Sequence, residues 1–351
     1  MGISLLTDRD FGIVARIVID DLNHYDDEQQ SLGEALPAIY VNATTGKRIL
    51  AYLNSTSMPT AMLLLKGTVF GNGKAPTMSG FSSKGSSLKS AGILKPDITG
   101  PGESIMAAWH KSIDGKTHKN STFKFESGTS MSCPHLSGVA ALLKQSHPDW
   151  SVAAIKSSMM TTAYTSNLNK QPILDHVTMC PANLFALGAG HVNPLQANDP
   201  GLIYDIHPYE YIPYLCGLNY SDQQVGAIVG RKVNCSLLQW IPEAQLNYPS
   251  FSVKLDRGSS KGYTRTVTNV GEPNSIYQFV CELDSKTVDI RVSPSRLVFT
   301  KANQKLKYNV TFSRSSLSCN NNDNKTYVEA ALLWRDRKHQ VRSPISIELT
   351  N

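Results

Sequence analysis

Gly128-Thr129-Ser130-Met131-Ser132-Cys133-Pro134-His135 is the stretch that decides how this chain is read. Gly128 permits a tight backbone turn, and Leu136, Val139, Ala140, Leu142 and Leu143 follow as an apolar set at helical spacing. The pattern predicts a buried helix that starts at Ser130, with Pro134 in its first turn. Unpaired N–H groups and the positive end of a helix dipole favour developing negative charge at that place. Ser130 is therefore a candidate catalytic nucleophile, and its own backbone N–H a candidate oxyanion donor. The plainer job for a serine there is an N-cap, which requires none of its seven neighbours.

The nucleophile elbow of lipases and esterases wants Gly-x-Ser-x-Gly, and Ser132 stands where its last glycine would be. The eight residues instead resemble the nucleophile motif of subtilisin-like serine proteases. His147-Pro148-Asp149-Trp150-Ser151 and Ala154-Ile155-Lys156-Ser157 are similar to the stretch after the nucleophile helix in plant subtilases, with Val152 in place of the usual proline. Phe81 to Gly85, Gly92 to Ile98, Gly188 to Pro194 and Asp199 to Asp205 match further segments, so the resemblance covers most of residues 65–216. Leu246-Asn247-Tyr248-Pro249-Ser250-Phe251 and Arg265-Thr266-Val267-Thr268-Asn269-Val270-Gly271 look like the start of that family's fibronectin-III-like domain. Lys84, Ser86 and Glu103 depart from the usual Arg, Pro and apolar residue.

The resemblance implies an α/β fold: the C-terminal part of a subtilisin-like parallel-sheet catalytic domain over 66–215. It is preceded by part of a protease-associated domain over 1–65 and followed, after a helical linker over 216–242, by an all-β fibronectin type III-like sandwich over 243–351. The residues agree with this division. Ile13 to Ile19, Ala38 to Val41 and Ala61 to Val69 are short apolar runs, and Ile49, Leu50 and Leu53 share a helical face. Leu36 to Thr56 resembles the latter half of a protease-associated domain. Ser221 and Gln224 form a capping-box pattern opening a helix that Gly230 can close. Tyr277, Phe279, Cys281 and Leu283 alternate as a strand does, as do Val288, Ile290 and Val292, then Tyr308, Val310 and Phe312, then Ile345, Ile347 and Leu349.

By the same resemblance the complete protein is a serine endopeptidase acting on protein or peptide substrates, with Ser130 as nucleophile and no cofactor. The family's aspartate, histidine and oxyanion asparagine lie upstream of its protease-associated domain. Residues 1–127 contain neither the Asp-Ser/Thr-Gly nor the His-Gly-Thr segment, so the chain reads as N-terminally truncated and inactive as written. A non-catalytic remnant that binds peptides or partners is the alternative. None of the 9 histidines offers itself as a replacement base. His135, five residues past Ser130, points well round the helix from it, and His110, His118, His147 and His191 sit in loop-like surroundings. No His-x-x-x-His pair with a carboxylate suggests a metal centre.

A net charge of +6 carried by scattered basic residues, without a basic run interleaved with aromatics, argues against nucleic acid as a partner. No apolar run approaches membrane-spanning length, and the acidic residues within the first twenty-odd positions exclude a signal peptide there. Oligomeric state is left open. Six cysteines are too sparse for a disulfide framework and their pairing stays open. Seven Asn-x-Ser/Thr triplets, at Asn42, Asn54, Asn120, Asn219, Asn234, Asn309 and Asn324, suit a secreted glycoprotein, as does the extracellular location that the family implies.

Overall fold

The computed structural model describes residues 12–20, 38–64, 71–109, 123–315 and 327–350. The chain divides into two compact units, one of 1–82, 101–133 and 167–181, the other of 83–100, 134–166 and 182–351.

In the first unit, the two earliest apolar runs become β1 (Arg16–Asp20) and β2 (Ala38–Asn42), paired in parallel with Arg16 opposite Ala38. Helix α1 (Ala43–Ser55) follows at once. Gly46 is what lets it lie close, because a Cβ there would stand 2.4 Å from Ile19 Cγ2. The run from Ala61 forms no strand over 61–64, and 65–69 lie outside the described residues. Strand β3 (Thr77–Met78), the hairpin of β4 (Ile105–Ala108) with β5 (Phe123–Glu126), and β6 (Leu174–Asp175) complete the unit, with β3 and β6 parallel. Of the extended parallel sheet expected over 66–215, the described residues thus hold one parallel pair, β3 with β6. Strands this short and this poorly flanked cannot bury a face of their own. The three buried apolar clusters among the described residues all belong to the second unit.

Helix α2 (Thr129–Ser146) bears the motif serine and crosses the division. It is not the buried helix its sequence predicts. Leu136, Val139, Ala140 and Leu143 pack with Trp150, Ala154 and Ile155, but only Leu143 is buried and Leu142 is 62% exposed. Leu142 sits one residue, about 100°, off the packed stripe. Helix α3 (Val152–Thr161) is by contrast buried along most of its length. Ser151 caps it, accepting the Ala154 N–H at 3.0 Å while donating to Asp205 at 2.5 Å. Val152 occupies the first helical position, the place in a helix where the family's usual proline fits.

Short helices α4 (Leu184–Leu187), α5 (Pro194–Asn198) and α6 (Tyr211–Gly217) lead to α7 (Asp222–Val229). The capping box of α7 forms as its residues predict, from Ser221 and Gln224, and Gly230 closes the helix at φ +69°. A disulfide joins Cys216 to Cys235 across this segment, answering the pairing that the sequence left open; Cys133, Cys180 and Cys281 are free, and Cys319 lies outside the described residues.

The remainder is a two-sheet sandwich. β8 (Phe251–Leu255), β10 (Ser275–Leu283), β12 (Arg296–Phe299), β14 (Tyr327–Arg335) and β15 (Gln340–Leu349) form one sheet in the order β12-β10-β14-β15-β8. The other runs β11-β13-β9-β7, from β11 (Val288–Ser293), β13 (Lys305–Arg314), β9 (Ser260–Asn269) and β7 (Leu202–Ile203). Strand β7 comes from upstream of residue 243, so the sandwich borrows a strand from the segment read as catalytic. Tyr277, Val288, Ile290, Tyr308, Val310, Phe312, Ile345 and Ile347 face its core, which confirms the alternation.

Three of the segments matched in the sequence, around Asp97, Lys156 and Tyr248, meet in the second unit. Asp97 accepts from Lys95 at 2.7 Å and from the Tyr248 hydroxyl at 2.5 Å, with Lys156 at 3.5 Å. Burial pushes its carboxyl up, but Lys156, Lys95 and these hydrogen bonds outweigh burial and hold it below the usual carboxylate range. A carboxyl lowered in the folded state adds stability above its unfolded value and loses it as pH falls through the folded one. Asp97→Asn is therefore expected to lower stability by about 1–3 kcal/mol at pH 7, with the gap from wild type closing in strong acid; thermal unfolding across pH measures both.

Candidate active site

Ser130 is the second residue of α2, and its side chain is exposed. The turn before it is fixed by two glycines. Gly128 has φ +154°, and its N–H donates to the Gly102 carbonyl at 2.7 Å. Gly102 has no room for a side chain, since a Cβ would lie 2.8 Å from the Gly128 oxygen. Ser127 Oγ accepts the Ser104 N–H at 2.8 Å, holding the two loops together on the other side. Glu103, the acidic departure in this loop, accepts from Ser79 Oγ at 2.5 Å.

The N–H groups of Met131 and Ser132 both turn back to the Gly128 carbonyl, at 3.1 and 3.4 Å. The Ser130 N–H makes no such bond among the described residues of its unit, which leaves it open at the positive end of α2. Nor does any described residue of that unit hydrogen-bond the Ser130 hydroxyl. Pro134 is not in the first turn but inside the helix, at its sixth position. Lacking an N–H, it removes the donor that would otherwise reach the Ser130 carbonyl. The site thus holds an outward hydroxyl, an unpaired N–H and a carbonyl relieved of its helical partner, all on one residue.

Four of the described histidines are engaged with other partners. His147 stacks on Trp150 at 3.8 Å, with Nε2 2.9 Å from the Asn198 carbonyl. His191 lies between Thr99 and Tyr164 in isolated bridges, and burial pulls its ring below the ordinary histidine range. His207 caps a short 3-10 turn, accepting the Tyr209 N–H through its ring. His339 is buried between Asp336 at 3.1 Å and Asp199 at 3.0 Å, beneath the Tyr277 hydroxyl. His135 is exposed on α2, and His110 and His118 lie outside the described residues. Among the described residues no three His, Cys, Asp or Glu side chains group as metal ligands, and no helix is long and apolar enough to cross a membrane.

Of the triplet asparagines, Asn54, Asn219, Asn234 and Asn309 are exposed. The side chain of Asn42, with Asn120 and Asn324, lies outside the described residues.

Residues 23–190 match the profile of the Subtilase family, and residues 245–347 that of a Fibronectin type-III domain. Subtilisin-like protease SBT1.7 of Arabidopsis thaliana is 41% identical over 319 residues, which cover 90% of this chain and 42% of the relative. Subtilisin-like proteases SBT1.2 and SBT1.5 of the same plant are 41% and 40% identical, again over 90% of this chain and over 41% and 42% of their own lengths. The chain therefore spans about two fifths of the relatives it matches.

Proposed function

Because the chain belongs to the plant subtilisin-like protease family, we propose that Ser130 is the nucleophile of a serine endopeptidase site whose base is supplied from outside this sequence. The observation that supports this reading is the start of α2, where an exposed serine hydroxyl and its own unpaired N–H share one helix N-terminus. In the complete site Ser130 Oγ attacks the scissile carbonyl of a protein or peptide, and a histidine held by an aspartate takes the proton. The Ser130 N–H and an asparagine amide then stabilise the oxyanion. On this reading the chain alone is inert, residues 1–65 are part of a protease-associated domain, and 216–242 form a linker to the sandwich. The closed Cys216–Cys235 bridge and the exposed Asn-x-Ser/Thr triplets favour an extracellular protein, since disulfides persist in oxidising compartments.

A second reading, a non-catalytic peptide- or partner-binding protein, is favoured by Met106 and Phe125, paired across the β4–β5 hairpin and exposed. Mass-spectrometric peptide mapping of the native protein separates the two. Upstream peptides bearing the aspartate and histidine, with proteolysis lost in Ser130→Ala, are the expected result. A native polypeptide that starts at Met1 and turns over no peptide would replace the first reading with the second.

A further inference from the structure

Two Asn-x-Ser triplets bracket the Cys216–Cys235 bridge: Asn219-Tyr220-Ser221 and Asn234-Cys235-Ser236. Asn219 occupies the turn between α6 and α7 at φ +63°, is exposed, and its side-chain amide has no hydrogen-bond partner among the described residues. Asn234 is also exposed. Its amide oxygen accepts from Ser236 N at 3.0 Å and Ser236 Oγ at 2.6 Å, while its amide nitrogen makes no bond among the described residues. Both side chains therefore present the one atom to which a sugar is joined.

The surface beside them is apolar. Leu237 is 81% and Trp240 61% exposed, and Ile228 on α7 is exposed as well. The Trp240 ring stands next to Gly217, where a Cβ would lie 3.6 Å from ring atom Cε3, two residues before Asn219. Leu237 ends the 3-10 turn that Asn234 caps. An apolar surface pinned by a disulfide and bordered by two free asparagine amides suits a carbohydrate, whose rings pack their C–H faces on indole and leave their hydroxyls in water.

We propose that Asn219 and Asn234 carry N-linked glycans, and that these cover Leu237 and Trp240. The donor is a lipid-linked pyrophosphoryl oligosaccharide. The bond between sugar C1 and the phosphate oxygen breaks, C1 bonds to the asparagine Nδ2, that nitrogen gives up one proton, and the lipid pyrophosphate leaves with the electron pair. Folding sets the order of events. In the folded chain the Ser221 hydroxyl is committed to the α7 capping box and the Ser236 hydroxyl to Asn234, so neither triplet remains extended with its hydroxyl free. Transfer precedes both α7 and closure of the bridge.

The test expresses the full chain behind a cleavable secretion signal in eukaryotic cells, then recovers both secreted and membrane-enclosed protein. Glycans are released with an amidase in heavy-oxygen water, and the peptides spanning 216–241 are mapped. Heavy-oxygen aspartate at both 219 and 234 is expected, with Asn219→Gln and Asn234→Gln each losing one glycan's mass. Stripping the glycans from the folded chain is expected to raise binding of an apolar dye, an increase that Trp240→Ser removes. An unmodified asparagine in chains whose Cys216–Cys235 bridge is closed overturns the assignment at that position, and unchanged dye binding overturns the covering role. A Ser130→Ala chain gives the same map, so failure here and failure of the protease reading are distinguishable.

Discussion

Arg265→Met is expected to destabilise the second unit by about 3–5 kcal/mol, on the scale of breaking a buried polar network. Arg265 is 1% exposed, yet among the described residues no carboxylate pairs with it. Its guanidinium donates to backbone carbonyls: Nε to Tyr248 at 3.0 Å, Nη2 to Ala244 at 2.8 Å and Ser250 at 3.3 Å, and Nη1 to Thr264 at 3.1 Å. It also lies 4.1 Å over the Phe251 ring. Burial pulls the guanidinium down to about 10, which leaves it charged at neutral pH. A methionine of similar length would fill the space and escape the desolvation cost of the charge. The carbonyls belong to the backbone, however, and cannot be removed with it. The outcome turns on which effect is larger, and the buried carbonyls of Tyr248, Ala244 and Ser250, stranded without their donor, outweigh the desolvation cost of one cation. Urea unfolding followed by tryptophan fluorescence measures the difference; a methionine variant as stable as the parent would show the guanidinium's desolvation cost to be equal to its bonds. Arg265→Lys keeps the charge with one nitrogen and should fall between the two.

The isolated chain is expected not to react with a fluorophosphonate probe at Ser130. Attack requires a proton acceptor for the hydroxyl, and no described residue of its unit is hydrogen-bonded to it. In bacterial subtilisin, a relative of this family, loss of the histidine alone costs on the order of a millionfold in turnover. A free N–H at the start of α2 does not offset that, because an oxyanion donor stabilises charge only after the nucleophile has attacked. Labelling that is robust in the parent and lost in Ser130→Ala would overturn the expectation and locate a base within this chain.

The structure legible along the chain is local. Elements whose formation depends on neighbours within a few residues were legible: the helix start at Thr129–Ser130, the Ser221–Gln224 capping box with its Gly230 stop, and the alternating strands of the sandwich. Each rests on hydrogen bonds or side-chain periodicity that the chain carries along its own length. The matched segments were legible as matches but not as causes. It takes the folded chain to show that Gly92 to Ile98, the α3 lysine and Tyr248 meet at Asp97, and that Leu246 to Phe251 and Arg265 to Gly271 are stitched together by Arg265 and by Asn247, which bonds Thr266 from both ends of its amide. Those contacts join residues far apart in the chain, and no periodicity records them. The same holds for burial: the apolar stripe of α2 forecast a buried helix, but burial depends on what covers a face, and the described residues cover that stripe only in part.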